Sequence, residues 1–161
     1  MIKKIILDAC CGGRMFWFNK HHPNVLYIDK RTHLKGGNKY RPNFTVEPDM
    51  LVDFRDMPFE DNSFKLVVFD PPHAFNAKTG SVIGDYYGQL DKDNWKTDIR
   101  KGFDECWRVL ENYGILILKW NEVNVKRAEL LKILPIEPLF GQRPGGRGYG
   151  GTHWLCFMKF V

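Results

Sequence analysis

The stretch VVFDPPHAFN, residues 67 to 76, runs from three apolar residues into an acid, two prolines and a histidine. A strand that ends this way puts a carboxylate, Asp70, beside backbone whose torsions Pro71 and Pro72 restrict. The chemistry this suits is work on an amine attached to an aromatic ring. Such an amine is a poor nucleophile because its lone pair is delocalised, so a site that uses it must accept its hydrogens and favour a pyramidal nitrogen. Asp70 supplies one acceptor, the Pro71 carbonyl a second, and the two prolines hold both in place. The flat ring of His73 suits stacking on the base that carries the amine. The structural alternative is that DPP terminates a strand and Asp70 caps the turn.

Two other strand-like runs end in residues of the same kind. The first ends DACCGGRMF, residues 8 to 16. There Gly12 and Gly13 allow a tight turn and a close approach to a ligand, and a short helix is expected to follow, its free N–H groups turned to an anion. Neither GxGxxG nor GxxxxGK[ST] is present, so the loop suits a smaller anionic group, such as the methionine carboxylate of S-adenosylmethionine. The second ends YIDKR, which places Asp29 where a carboxylate accepts from two ribose hydroxyls; a solvent-exposed Asp is the alternative. Further on, VDFRDMPFEDNSF pairs an acceptor, Asp53, with the backbone N–H of Phe54. Together they match the exocyclic amine and a ring nitrogen of adenine, unless the segment is only a polar turn.

These residues need elements to position them. IILDAC (5 to 10), VLYID (25 to 29), the ends of FTVEPDMLVDF (44 to 54), KLVVFD (65 to 70) and ILILKW (115 to 120) are short apolar runs without a polar face. They read as strands of a parallel sheet buried on both sides. Trp95, Ile99, Phe103, Cys106, Trp107 and Leu110 share one helical face, with Asn112 to Gly114 as the stop, and a second helix is expected over Glu122 to Leu134, ended by Pro135. PIEPLFGQR (135 to 143) and THWLCFMKFV (152 to 161) are joined by a segment too short for a parallel crossover, so they form an antiparallel hairpin. The connection from Arg31 to Phe44 has too little pattern for a full crossover helix.

Composition narrows the class. The chain has 161 residues, 43% of them hydrophobic, and 24 Lys and Arg against 19 Asp and Glu. That is enough for one domain with a substantial core, and the basic balance favours an anionic partner. Cys10, Cys11, Cys106 and Cys156 show no CxxC spacing and read as reduced thiols rather than metal ligands. No metal is expected, and His21, His22, His33 and His153 read as surface or packed histidines. The start of the chain is too poor in apolar residues for a signal peptide, and no run reaches the ~20 apolar residues of a membrane helix. A soluble, cytoplasmic protein is expected.

In order and spacing, DACCGG, YID, DFRDMPF and FDPPH resemble the class I S-adenosylmethionine-dependent amino-methyltransferases. DPPH corresponds to their [DNS]PP[YFWH] signature. Over its whole length, including ILILKWNE and THWLCFMKF, the chain looks like the short methyltransferases of phages and prophages. The resemblance implies a Rossmann-like α/β fold of strand order 3-2-1-4-5-7-6, with a C-terminal antiparallel hairpin, in a single methyltransferase domain over 1–161. It implies S-adenosylmethionine as cofactor, held at Asp8, Ala9, Cys10, Gly12, Gly13, Asp29, Asp53 and Phe54, and catalysis at Asp70, Pro71, Pro72 and His73. The first loop reads ACCGGR where the family more often has a GxG pattern, and His73 stands where an aromatic residue is usual.

The catalytic sheet consumes nearly the whole chain, which leaves residues 74 to 94 to meet the substrate. Phe75, Tyr86 and Tyr87 suit stacking on an extruded base, with Lys78 and Lys92 on phosphates; Tyr86 and Tyr87 serve equally well to pack the loop onto the domain. Arg143 and Arg147 of the hairpin tip touch phosphates or simply belong to a turn, and Trp120 and Asn121 lie past the fifth strand, where they can line the site. The expected substrate is an exocyclic amine of a nucleobase, adenine N6 in DNA first. RNA or a small molecule is the alternative, as is a non-catalytic cofactor-binding module acting through a partner. Target recognition is short or borrowed from a protein partner.

Overall fold

A computed structural model of the protein describes residues 4–33, 35, 42–75, 88–141 and 151–161. The apolar runs become β1 (Ile6–Asp8), β2 (Val25–Asp29), β3 (Met50–Leu51), β4 (Phe64–Phe69) and β5 (Leu110–Asn121), and the chain finishes with β6 (Phe140–Gly141) and β7 (Thr152–Met158). Among the described residues two helices interrupt them, α1 (Trp95–Val109) and α2 (Arg127–Ile133). The seven strands make one sheet in the order β3-β2-β1-β4-β5-β7-β6. β1 to β5 pair in parallel, and β7 pairs antiparallel with both β5 and β6.

Strand alternation divides the interior into two parts. In β2, Leu26 and Ile28 pack with the main core, while Val25 and Tyr27 join Cys11, Ile6 and Trp17 in a second cluster. The main core lies under α1, which buries Trp95, Ile99, Gly102, Phe103, Cys106 and Val109. It receives Val67 and Phe69 from β4, Leu116, Leu118 and Trp120 from β5, and Leu155 and Phe157 from β7. Gly102 permits a close approach, because a Cβ there would lie 2.4 Å from Phe54 Cδ2 and 2.7 Å from Phe69 Cζ.

Several expectations need correction. No helix follows the first loop: residues 9 to 24 form successive turns, with Gly12 at φ 46° and Arg14 at φ 53°. Side-chain contacts replace the helix. The Arg14 guanidinium lies 3.9 Å from the Tyr27 ring centroid and donates to the carbonyls of Lys20 and Glu47, and Trp17 meets Tyr27 edge to face. The third strand shrinks to two exposed residues; Val46 instead bridges back to His33. The second helix starts at Arg127 rather than Glu122, whose carboxylate accepts from the Arg127 N–H ahead of the first turn.

The expected stop after α1 is no separate loop. β5 begins at Leu110, and its register with β4 jumps from Phe64↔Leu110 to Leu66↔Ile115, with Tyr113 at φ 61° in the bulge. The sixth strand starts only at Phe140 because Pro135 and Pro138 precede it and lack the N–H a ladder needs.

Candidate active site

The carboxyl ends of β1, β2 and β4 open on one side of the sheet, and the residues just beyond them line a single cleft. It measures about 890 Å³ including its open mouth. Cys10, Gly12 and Gly13 come from the first loop, Asp29 and Arg31 from the end of β2, Asp70 to His73 from the end of β4, and Lys119 from β5. Phe54, which follows β3, also lines it. Most of the residues singled out in the sequence therefore converge, because parallel strands deliver their following loops to the same edge.

Asp29 is the anchor of the first two loops. It is 5% exposed; its Oδ2 accepts from the Gly12 N–H at 3.0 Å and its Oδ1 from the Arg31 N–H at 3.0 Å. Oδ1 also accepts from the Arg31 Nε–H at 3.2 Å, which leaves Oδ2 with lone-pair capacity for a hydroxyl group in the cleft. The Gly12 N–H is thus already used, whereas the Gly13 N–H meets no acceptor among the described residues. Cys10 faces the cleft as a thiol, since burial and the neighbouring Asp29 and Asp8 push its pKa well above the ordinary range.

Asp8 and Ala9 lie beneath the loop and do not line the cleft. Asp8 is fully buried, accepts from the Trp17 indole N–H at 2.7 Å and from the Cys10 N–H at 3.3 Å, and thereby ties the turns to β1. Burial raises its pKa to about 7, with Asp70 and Asp29 adding like-charge repulsion. Asp53 also stands outside the cleft: both of its oxygens are held by Arg55, at 3.0 and 2.6 Å, and Arg55 continues to Asp98. The Phe54 N–H, in contrast, meets no acceptor among the described residues, and its ring packs edge-on against Phe69 5.2 Å away.

At the end of β4, Asp70 points inward with its side chain 14% exposed. Lys119 donates to its Oδ2 at 2.6 Å, while Oδ1 has no donor among the described residues. Burial raises the Asp70 pKa and Lys119 works against that rise. Burial lowers the pKa of His73 below its ordinary value, so at neutral pH its ring is an uncharged, half-buried plane. Its underside meets Trp120 edge to face at 6.4 Å. Trp120 does not line the cleft: it is fully buried, donates its indole N–H to the Val125 carbonyl at 2.9 Å, and supports His73 from below.

Lys119 escaped the sequence reading. Its signal was present, a lone charge inside the apolar run ILILKW, but only the fold shows what it faces. Phe75 is half-buried beside Trp95 and donates its backbone N–H to Asn124. Tyr86, Tyr87, Lys78, Arg143 and Arg147 lie outside the described residues, and Lys92 is exposed. The four cysteines are free thiols, and among the described residues no three His, Cys, Asp or Glu side chains gather as metal ligands.

No family model and no curated protein matches the chain. Among solved structures, an S-adenosylmethionine-dependent methyltransferase from Leishmania major superposes on 94% of the chain, with a TM-score of 0.55 at 12% identity. The architecture is the Rossmann-like fold of methyltransferases. The chain spans 63% of that protein's length. The [4+2]-cyclase SpnF is similar over 85% of the chain and 52% of its own, with a TM-score of 0.47 and 18% identity. In a methyltransferase fold the edge beyond β1, β2 and β4 is where an open α/β sheet places its ligand, and Asp29, Gly12 and the Asp70 segment all occupy that edge.

Proposed function

We propose that the protein is an S-adenosylmethionine-dependent methyltransferase acting on an exocyclic amine of a nucleobase, adenine N6 in DNA first. One observation carries the reading: Asp70, Pro71, Pro72 and His73 share a cleft with Asp29 and the Gly12–Gly13 turn. The cofactor would supply an electrophilic methyl group on a sulfonium. The residues present fit it in part. Asp29 has acceptor capacity for ribose hydroxyls, the Gly13 N–H is available to a carboxylate and the Phe54 N–H to a ring nitrogen. Asp53 fits less well, since Arg55 occupies both of its oxygens.

On the substrate side, Asp70 Oδ1 accepts one amine hydrogen and the Pro71 carbonyl the other. Acceptance of both concentrates the lone pair on nitrogen and turns it toward the methyl donor. His73, neutral and backed by Trp120, offers its face to the base. No strong base is required before transfer, because the nitrogen becomes acidic once it is cationic. The chain's net charge of +5 suits a polyanionic substrate, and Phe75, Tyr86 and Tyr87 are the proposed stacking residues.

Transfer of labelled methyl to duplex DNA, single-stranded DNA and RNA, followed by nucleoside analysis, tests the reading. Label on adenine N6 of DNA supports it, and label on none of the three sinks it. Asp70→Ala is expected to abolish transfer and leave cofactor affinity nearly intact, since its carboxylate acts on the amine. A variant that turns over near the wild-type rate excludes amine activation by Asp70.

A further inference from the structure

Lys119 is a charged residue of the cleft that the proposed reaction leaves unused. On β5, Leu116, Leu118 and Trp120 enter the main core, so Lys119 projects from the opposite face, the one the helix-free first loop covers. There its Nζ lies 5.5 Å from the Phe16 ring centroid and 5.7 Å from that of Trp154, and these two rings meet edge to face at 5.4 Å. Trp154 stands directly opposite Lys119 in the β5–β7 register. The ammonium is thus held on two sides by aromatic rings, and its side chain is only 19% exposed. A largely buried ion pair contributes little to stability over an apolar pair of the same volume, so this one calls for another explanation.

We propose that Lys119 is a positioning residue of the methyl-transfer site: held by Phe16 and Trp154, it keeps Asp70 an ionised acceptor in one orientation, with Oδ2 engaged and Oδ1 facing the substrate amine. The inference rests on the amine-methylating reading above. Among the described residues, the titratable groups that act on Asp70 are Lys119 from β5, His73 from its own segment, and Asp8 and Cys10 from the end of β1. His73 is driven toward neutrality by burial, so Lys119 is the lasting positive charge. Burial favours the neutral acid at Asp70. A protonated carboxyl donates through one oxygen and no longer accepts there, which would undo the activation of the amine. Entry of a base into the cleft would displace water and sharpen the same problem.

The test uses Lys119→Met and Lys119→Arg, read in two ways. By carbon NMR, the Asp70 carboxyl midpoint is expected to rise by at least one pH unit in Lys119→Met, with Lys119→Arg restoring most of the difference. In the transfer assay, Lys119→Met should lose at least tenfold at pH 7 and recover as pH rises, because removing the cation moves the acid limb upward, while cofactor affinity stays within twofold. A midpoint and pH profile identical to wild type overturn the proposal. Should Lys119→Met fail to fold, Lys119→Gln is read in the same way, and an unchanged Asp70 midpoint overturns the proposal. Absence of methyl transfer by the wild type, with the Asp70 midpoint still raised on removal of the Lys119 cation, sinks the substrate reading while leaving the ion-pair assignment standing. An Asp70 midpoint unmoved by removal of the Lys119 cation, with active wild type, does the reverse.

Discussion

Asp29 does two jobs with one carboxylate. Its Oδ2 receives the Gly12 N–H and its Oδ1 the backbone N–H and Nε–H of Arg31, which fixes the two loops, and the residue lines the cleft. Asp29→Ala is expected to weaken S-adenosylmethionine binding by about 1 to 3 kcal/mol, the cost of leaving hydroxyls and loop N–H groups unpaired in a buried site. Calorimetric titration measures it, and an unchanged affinity removes Asp29 from the site. His73 makes a different demand. Because it is held neutral over Trp120, a ring of similar shape should substitute: His73→Phe is expected to keep much of the transfer activity, and His73→Ala to lose about 1 to 3 kcal/mol of base binding. Equal losses in both variants would replace stacking with proton transfer.

Among the elements, α1 and the first loop show two ways of covering a sheet. The helix reaches the sheet through Gly102, where a Cβ would meet the Phe54 ring at 2.4 Å. In an ordinary helix interior Gly→Ala gains up to about 1 kcal/mol. Here the sign should reverse: Gly102→Ala is expected to cost about 1 to 3 kcal/mol through overpacking, measured by denaturant unfolding, and Phe54→Leu in the same chain should recover part of it. Since Phe54 also lines the cleft, the single variant should weaken cofactor binding as well. The first loop has a close approach too, since a Cβ at Gly13 would lie 2.5 Å from Phe44 Cε2. Its order comes from Arg14 on Tyr27 and from Trp17 on Asp8, which bind the turns to β1 and β2 without a helix.

For the whole molecule, Asp8 links stability to pH. Its carboxyl moves from an ordinary 3.8 to about 7 on folding, so the folded state binds the proton more tightly than the unfolded chain. The stabilising contribution is therefore fully present below about pH 4 and is lost as pH rises through about 7. At about 1.4 kcal/mol per pH unit the loss is at most ~4 kcal/mol. Asp49, Asp53, Glu105 and Glu122 have lowered pKa values and contribute in the opposite sense, so the test is a difference. The stability of Asp8→Asn relative to wild type should increase between pH 4 and pH 7.5 and level off above it. A difference that is flat with pH would show that Asp8 is ionised in the fold throughout.

The sequence by itself determined what depends on neighbours along the chain. The apolar runs required buried strands, their parallel pairing sent the loops after β1, β2 and β4 to one edge, and DPPH arrived there as four contiguous residues. The two glycines and the position of Asp29 after VLYID were legible for the same reason: backbone freedom and the two-residue strand period act over a few residues. The tertiary structure decided whatever depends on partners distant in sequence. Asp70 meets Lys119 across 49 residues, and Arg55 reaches Asp98 across 43 residues while it occupies Asp53. Trp120 lay at the right strand end but on the face that α1 covers, so it became a support. Burial beneath the first loop, with Asp70 and Asp29 nearby, raises the Asp8 pKa to about 7 against the opposing Trp17 hydrogen bond. Charge pairing and desolvation are set by what packing brings within a few ångströms, and the order of residues along the chain does not contain that distance.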